Sequence, residues 1–397
     1  MTAFTSILAL PLALSLPLRA QDFVFNNGSE PQSLDPALIS GVPEGRISAA
    51  LFEGLTVNDA ETALPVPGLA SGWTVSRDLR TYTFTLRETT WSDGTPLTAR
   101  DVVDAWMRVL DPKTGSPYAY LLGDNIEGAD AYLKGRGPAS GVALRAPAPR
   151  TFVVTFVGPL PYALAMLTHS AFMVTPTFAV RRFGPGAWTK PAHFVGNGPF
   201  VLKEWHPQDR IVVVRNPRYW DAGNIRLRSI TFLTIEDQNV AFDKYKAGEI
   251  DYVPDDSMPS GRIDEIRLRK DYHHMPGSMV YYFVFNLIRR PFDDVRVRKS
   301  LSMAVDRDEL TRRVLKAGDI PSAGFVPAMG GYRTTRGNGF DPDRARALLA
   351  QAGYPGGRGF PRITITYNTS ARHKLICEWV QQAWKTILGV DVELHNL

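Results

Sequence analysis

The sequence has almost no cysteine and none of the short motifs that identify common enzyme classes. Cys377 is the single cysteine among 397 residues, so no disulfide can form within the chain. The chain contains no GxSxG elbow, no P-loop and no HExxH helix, and its carboxylates fall in turns and caps without a recognisable catalytic pair. These absences argue against an enzyme, although a secreted hydrolase of another kind stays open as an alternative.

Positive charge is not concentrated in any one stretch. The 45 Lys and Arg residues against 40 Asp and Glu give a formal charge of +5, and they occur in short mixed runs such as "RIDEIRLRKDYHH" from Arg262. A nucleic-acid-binding protein would cluster its basic residues on one face, so no nucleic-acid partner is expected. His273 and His274 have no further His, Cys or acidic cluster at ligand spacing, so no metal and no cofactor are expected either.

No apolar run is long enough to span a bilayer. The stretch from Ile7 to Leu18 is interrupted by two prolines and followed by Ala20, which predicts a secretory signal over residues 1–20. No Lys or Arg precedes the apolar run, so a buried N-terminal helix is the alternative. Cys377 lies too far from Ala20 to carry a lipid at the processing site, which favours an exported protein that is soluble in the periplasm.

Strand and helix patterns alternate along the rest of the chain. The run "TYTFTL" from Thr81 alternates like a half-buried strand, "SDGTP" turns the chain, and Thr98 with Asp101 predicts a capping box at the start of a helix. Further strands are predicted at "NGPFVLKEW", "RIVVV", "RLRSITFL", "GEIDYV" and "MVYYFVFN". There is no internal repeat and no linker, which indicates an α/β protein with several lobes built from non-contiguous segments.

Ten stretches in a fixed order resemble the periplasmic oligopeptide-binding proteins of peptide ABC importers, in solute-binding protein family 5. They are "NNGSEPQSLDP", "LFEGLTV", "YTFTLRETTWSDGTPLTARDVVDAW", "DPKTGSPYA", "NGPFVLKEW", "RNPRYWD", "GEIDY", "PFDDVRVRKSLSMAVDRDEL", "LLAQAGYP" and "YNTSARHKL". No single stretch is decisive, but together they extend over essentially the whole chain after residue 20.

The resemblance implies a three-lobed, type II-like periplasmic-binding-protein fold with a hinge cleft. Residues 21–53 and 178–277 would form a discontinuous first lobe, residues 54–177 the second, and residues 278–397 the third. A peptide would be enclosed between the first and third lobes. Relatives continue for about one further domain's worth of chain, on the order of a hundred residues, so an incomplete third lobe and a truncated, non-transporting protein are also expectations.

The resemblance also implies a set of ligand-binding residues. These are Ser40, Gly41, Val42, Tyr118, Asp255, Asp256, Tyr281, Tyr282, Asn286 and His373. Each has a plainer alternative: a turn before Pro43, a packed surface tyrosine, solvated acids, or an ordinary surface histidine. Alternation along a strand would send Tyr281 and Tyr282 to opposite faces, so that one lines the pocket and the other the core.

A carrier of varied peptides cannot depend on side-chain contacts. It is expected to bind the ligand backbone by β-augmentation and to leave the ligand side chains in roomy, watery pockets. The resemblance implies short peptides and the membrane permease subunits of an ABC importer as partners, and a monomer. Ser40 stands where some relatives carry an acid, so no preference for basic peptides is predicted, and the sequence does not define peptide length.

Overall fold

A computed structural model describes residues 21–275, 277, 279–322, 324–327, 332–334 and 337–397. The predicted signal segment, 1–20, lies outside the described residues. The described chain divides into two units, one of residues 21–25 and 30–233 and one of residues 26–29 and 234–397. Over these described ranges, no helix has both the length and the apolar character needed to cross a membrane.

The first unit contains twelve strands and six α-helices among its described residues, apart from short 3₁₀ helices. They are β1 (Gln21–Asn26, whose last residue is counted with the second unit), α1 (Val42–Leu51), β2 (Thr56–Asn58), β3 (Pro65–Pro67), β4 (Ala70–Val75), β5 (Thr81–Leu86), β6 (Thr89–Thr90), β7 (Pro96–Leu97), α2 (Ala99–Leu110), α3 (Ala119–Gly123), α4 (Ala129–Leu133), β8 (Leu144–Ala148), β9 (Thr151–Thr155), α5 (Ala163–Met166), α6 (Thr177–Phe183), β10 (Phe200–His206), β11 (Arg210–Arg215) and β12 (Leu227–Leu233).

Two four-stranded sheets organise this unit, and each has its own apolar core. One sheet has the strand order β1-β12-β11-β10, and α1 packs its buried Ile47 and Leu51 into the core on that sheet. The other has the order β4-β5-β9-β8, and α2 buries Trp106 against it. The predicted hairpin from Asn197 is confirmed, since β10 and β11 pair antiparallel around the turn at 207–209. The three-lobe boundaries stay a prediction.

The second unit is mainly helical. Its elements are α7 (Gln238–Lys246), α8 (Ile263–Ile266), α9 (Val295–Met303), α10 (Arg307–Glu309), a π-helical turn (Leu310–Leu315), α11 (Pro342–Gln351), β13 (Ile363–Tyr367), α12 (Ala371–Leu388) and β14 (Val392–Asn396). β13 and β14 pair in parallel, with α12 as the crossover between them. α9, α11 and α12 enclose a core that includes Leu301, Val380 and Trp384.

Local signals placed the helix starts correctly. The Thr98–Asp101 capping box is present, with the Thr98 amide donating to the Asp101 carboxylate at 2.8 Å. Asp341 caps α11 by accepting from the Arg344 amide at 3.0 Å. Each signal lies within four residues of the bond that it predicts, so tertiary structure has little room to override it.

Two predicted strands are absent from the described residues. Residues 279–286, "MVYYFVFN", lie in no strand, and Val284 is 81% exposed. In "GEIDYV" only Tyr252 takes part, through an isolated bridge in which its carbonyl accepts from the Asn26 amide at 3.3 Å. A strand forms only where a neighbouring strand has free backbone groups to hydrogen-bond with it. An apolar or alternating sequence pattern does not show that such a neighbour is present.

The "NGPF" stretch joins the start of β10 to the end of α1. Asn197 bonds both backbone groups of Glu53, accepting from its amide and donating to its carbonyl at 3.0 Å each. The Gly198 amide donates to the Leu51 carbonyl at 3.0 Å. A Cβ on Gly198 would lie 2.5 Å from the Leu51 carbonyl carbon and 2.6 Å from the Phe52 nitrogen, so glycine is required for this close approach.

We expect Gly198→Ala to lower the free energy of unfolding by about 1–3 kcal/mol, because the added methyl group meets backbone atoms that must move. Urea denaturation measures the loss. Gly72→Ala is the matched control, since a Cβ on Gly72 meets nothing within 4 Å. Equal stability of the two variants would contradict the close approach.

Candidate functional site

The first group of predicted site residues is an exposed backbone edge at the start of α1. Ser40, Gly41 and Val42 are exposed, with Val42 at 54%. Gly41 is the N-cap residue and is extended, with φ −96° and ψ 160°. Val42 is the first residue of α1, so its N–H has no carbonyl one turn earlier to bond. The edge therefore combines extended backbone with an amide that is available to a ligand carbonyl.

Tyr118 lies beside this edge, as the resemblance implied. Its hydroxyl donates to the Ser40 carbonyl at 3.3 Å. A cavity of about 140 Å³ is lined by these four predicted residues and by four that the sequence did not indicate, which are Ile39, Gly45, His169 and Ser170. Four of the ten predicted residues thus share one small cavity.

His169 is half-buried, and its ring packs edge-on against Tyr118 with centroids 4.5 Å apart. Its Nδ1 accepts from the Ala171 amide at 3.1 Å, so the neutral ring carries its proton on Nε2. Burial lowers the pKa of His169 below its usual value. The ring is therefore a neutral hydrogen-bond donor near pH 7. The sequence signal was weak: a lone histidine in "LTHSAF".

The second group lies in the second unit, where Tyr281 and His373 come together. Their ring centroids are 5.2 Å apart. His373 lies in the first turn of α12, and its Nδ1 is 2.7 Å from the Asn368 Oδ1. Burial lowers the pKa of His373, with a contribution from Arg372, while Asp256 acts in the opposite direction. Burial raises the pKa of Tyr281 to about 12.

The remaining predicted residues of the second unit have contacts of their own. Tyr282 packs on Phe325 with ring centroids 4.8 Å apart. Asn286 accepts from the Ile288 amide at 3.3 Å through its side chain. Asp255 and Asp256 begin a 3₁₀ turn, and the Asp256 carbonyl accepts from the Gln238 side chain at 2.8 Å. Their ligand roles stay predictions.

Tyr281 and Tyr282 are 48% and 55% exposed, so neither is a core residue in the described structure. The expectation that one would line a pocket and the other the core depended on a strand. That strand is absent from the described residues 279–286. Within the described part of the chain, no group of three His, Cys, Asp or Glu side chains is arranged to hold a metal ion.

Comparison with known proteins places the chain in a family. The family described as bacterial extracellular solute-binding proteins, family 5, middle, matches residues 65–397. The periplasmic oligopeptide-binding protein OppA of Salmonella typhimurium LT2 is 39% identical over 387 residues, covering 95% of this chain and 70% of the relative. The periplasmic murein peptide-binding protein MppA of Escherichia coli K12 is 37% identical over 392 residues, covering 95% and 71%.

Solved structures agree with this placement. The Escherichia coli murein tripeptide-binding protein MppA has a TM-score of 0.89 and 36% identity, with 95% of this chain and 75% of that chain covered. Haemophilus influenzae OppA in complex with RPPGFSPFR has a TM-score of 0.88 and 33% identity, with 95% and 76% covered. The chain therefore belongs to the bacterial extracellular solute-binding proteins of family 5, and it has the mixed α/β fold of that family.

Proposed function

We propose that this chain is a periplasmic receptor that captures short peptides, holds them mainly by main-chain hydrogen bonds between two closing lobes, and delivers them to the permease subunits of an ABC importer. The observation that carries the proposal is the exposed edge from Ser40 to Val42, with extended backbone at Gly41, beside Tyr118. Relatives named for binding oligopeptides and murein peptides support it.

The binding free energy expected of such a receptor requires several main-chain hydrogen bonds. Each main-chain hydrogen bond contributes a net ~0.5–1.5 kcal/mol, whereas micromolar binding needs roughly 8 kcal/mol. A short edge alone is insufficient, so closure and capture of a charged peptide terminus are part of the proposal. The half-buried Tyr118 and His169 rings add an apolar wall. The Tyr118 hydroxyl oxygen can accept from a ligand amide, and the His169 Nε2–H can donate to a ligand carbonyl.

Thermal melts of the purified chain with and without a mixture of tri- to pentapeptides test the proposal. Saturable stabilisation is expected, by about 2.7 kcal/mol at a ligand concentration one hundred times the Kd. Mass spectrometry of the same samples checks that the peptides stay intact. An unchanged melt at millimolar peptide would contradict peptide capture, and cleaved peptides would point to the hydrolase alternative.

Tyr118→Ala is expected to weaken peptide binding about tenfold, since loss of a ring from a binding interface typically costs more than 1 kcal/mol. Tyr118→Phe retains the ring and loses only the long bond to the Ser40 carbonyl, so a smaller change is expected. Tyr162→Ala is the control, because Tyr162 is 60% exposed and does not line the cavity. Equal affinities for Tyr118→Ala and Tyr162→Ala would remove Tyr118 from the site.

A further inference from the structure

The backbone angles of Gly41 do not explain why this residue is a glycine. Its φ of −96° and ψ of 160° are available to any residue. A Cβ built on Gly41, however, would lie 2.1 Å from the Glu44 Oε2 and 3.2 Å from the Glu44 Cδ. The carboxylate of Glu44 therefore occupies the space where a side chain at position 41 would begin.

The buried Glu44 carboxylate is held in that place by a hydrogen bond. It is the third residue of α1 and is 9% exposed. Its Oε1 accepts from the Gln32 amide at 3.1 Å, which ties the loop after β1 to the start of the helix. The Gly45 amide donates to the Gly41 carbonyl at 3.1 Å and fixes the first turn. A carboxylate in the first turn is also favoured by the helix dipole.

We propose that Glu44 is a positioning residue for peptide recognition, because its carboxylate packs under Gly41 and fixes the extended backbone of Gly41 between Ser40 and the start of α1. The inference rests on the proposed function. Since the first turn uses the Gly41 carbonyl, the groups left facing a ligand are the Ser40 carbonyl and the Val42 amide. A shift of the Glu44 side chain would move both.

The contact between positions 41 and 44 makes a double-mutant cycle decisive. Gly41→Ala places a methyl group on the carboxylate, so we expect peptide affinity to fall about tenfold, within the range of couplings between residues in contact. Glu44→Ala removes the support and is expected to weaken binding by a few-fold. In the double variant the methyl group no longer meets a carboxylate, so its affinity should match that of Glu44→Ala alone.

Calorimetric titration of the full chain with trialanine gives the four affinities, and thermal melts of the unliganded variants report stability separately. Glu44→Gln keeps the shape and the acceptor for Gln32, and it should bind like the parent chain. Gly223→Ala, where a Cβ meets nothing within 4 Å, is the control. Affinity losses of Gly41→Ala and Glu44→Ala that multiply in the double variant would overturn the proposal.

Amide hydrogen exchange at Gly45, whose amide donates to the Gly41 carbonyl, separates this inference from the proposed function. Without any peptide, Gly41→Ala should speed exchange at Gly45, and the double variant should exchange at the rate of Glu44→Ala alone. If the parent chain binds no trialanine while exchange follows this pattern, the peptide function fails and the positioning contact stands. If exchange at Gly45 is the same in all four proteins, the positioning role fails.

Discussion

Replacing Arg108 by methionine is expected to lower the free energy of unfolding by about 3–5 kcal/mol, the cost of leaving one member of a buried ion pair uncompensated. The Asp35 side chain is only 1% exposed. Its carboxylate accepts from Arg108 Nη1 at 2.9 Å and from Arg108 Nη2, and also from the Trp188 indole at 3.2 Å and the Ala37 amide at 3.0 Å. Methionine retains much of the aliphatic packing and removes the charge together with the two hydrogen bonds to Asp35.

Urea denaturation at neutral pH measures the Arg108→Met loss, with the slope of the transition checking that the denatured state is unchanged. Arg312→Met is the matched control, because Arg312 and Asp308 form an exposed pair with 75% and 64% of their side chains accessible. That variant should change stability by less than about 1 kcal/mol. Similar small losses for both arginines would contradict the structural role of the Asp35 pair.

Glu53→Gln is expected to remove a large pH dependence of stability. Glu53 is 3% exposed and accepts from the Tyr219 hydroxyl at 2.7 Å and the Trp220 indole at 2.8 Å. Burial raises the pKa of Glu53 from 4.5 to about 7, while those two bonds and Arg87 oppose the shift and Asp221 adds to it. The Arg87 guanidinium stacks 3.6 Å from the centre of the Trp220 ring.

The folded state therefore binds more protons than the unfolded state between pH 4.5 and about pH 7. Rising pH through this window weakens the parent chain by about 3 kcal/mol relative to Glu53→Gln, and the difference levels off above it. Urea denaturation of both proteins at pH 4.5, 6 and 7.5 tests this, with the exposed Glu61→Gln as control. A stability difference that is constant across these pH values would show that Glu53 stays ionised when folded.

Elements that depend on residues close together in the sequence were predicted correctly. The caps at Thr98 and Asp341 and the hairpin from Asn197 depend on residues a few positions apart, and all three are present. The strand predicted at 279–286 was wrong, because an apolar pattern indicates burial or strand pairing but does not identify the neighbouring strand. Among the described residues it has no ladder, and several of its side chains are exposed.

Some residues of the candidate site were predicted from the sequence and others were not. Ser40, Gly41, Val42 and Tyr118 were proposed from resemblance, and they lie around one cavity although Tyr118 is 76 to 78 positions away in sequence from the other three. His169 and Glu44 were missed. Neither has a local pattern that separates it from an ordinary surface histidine or a first-turn glutamate, and only the packing against Tyr118 and Gly41 distinguishes them.

The proposed receptor recognises the peptide backbone of its ligand. Calorimetric titration with tripeptides of one length tests this recognition most directly, comparing side-chain variants of trialanine with trialanine that is N-methylated at one internal amide. We predict that the side-chain variants differ in Kd by no more than about tenfold and that N-methylation abolishes binding, since it removes a donor that the main chain of the protein must meet. Full binding of the N-methylated peptide, with strong discrimination among side chains, would contradict the account.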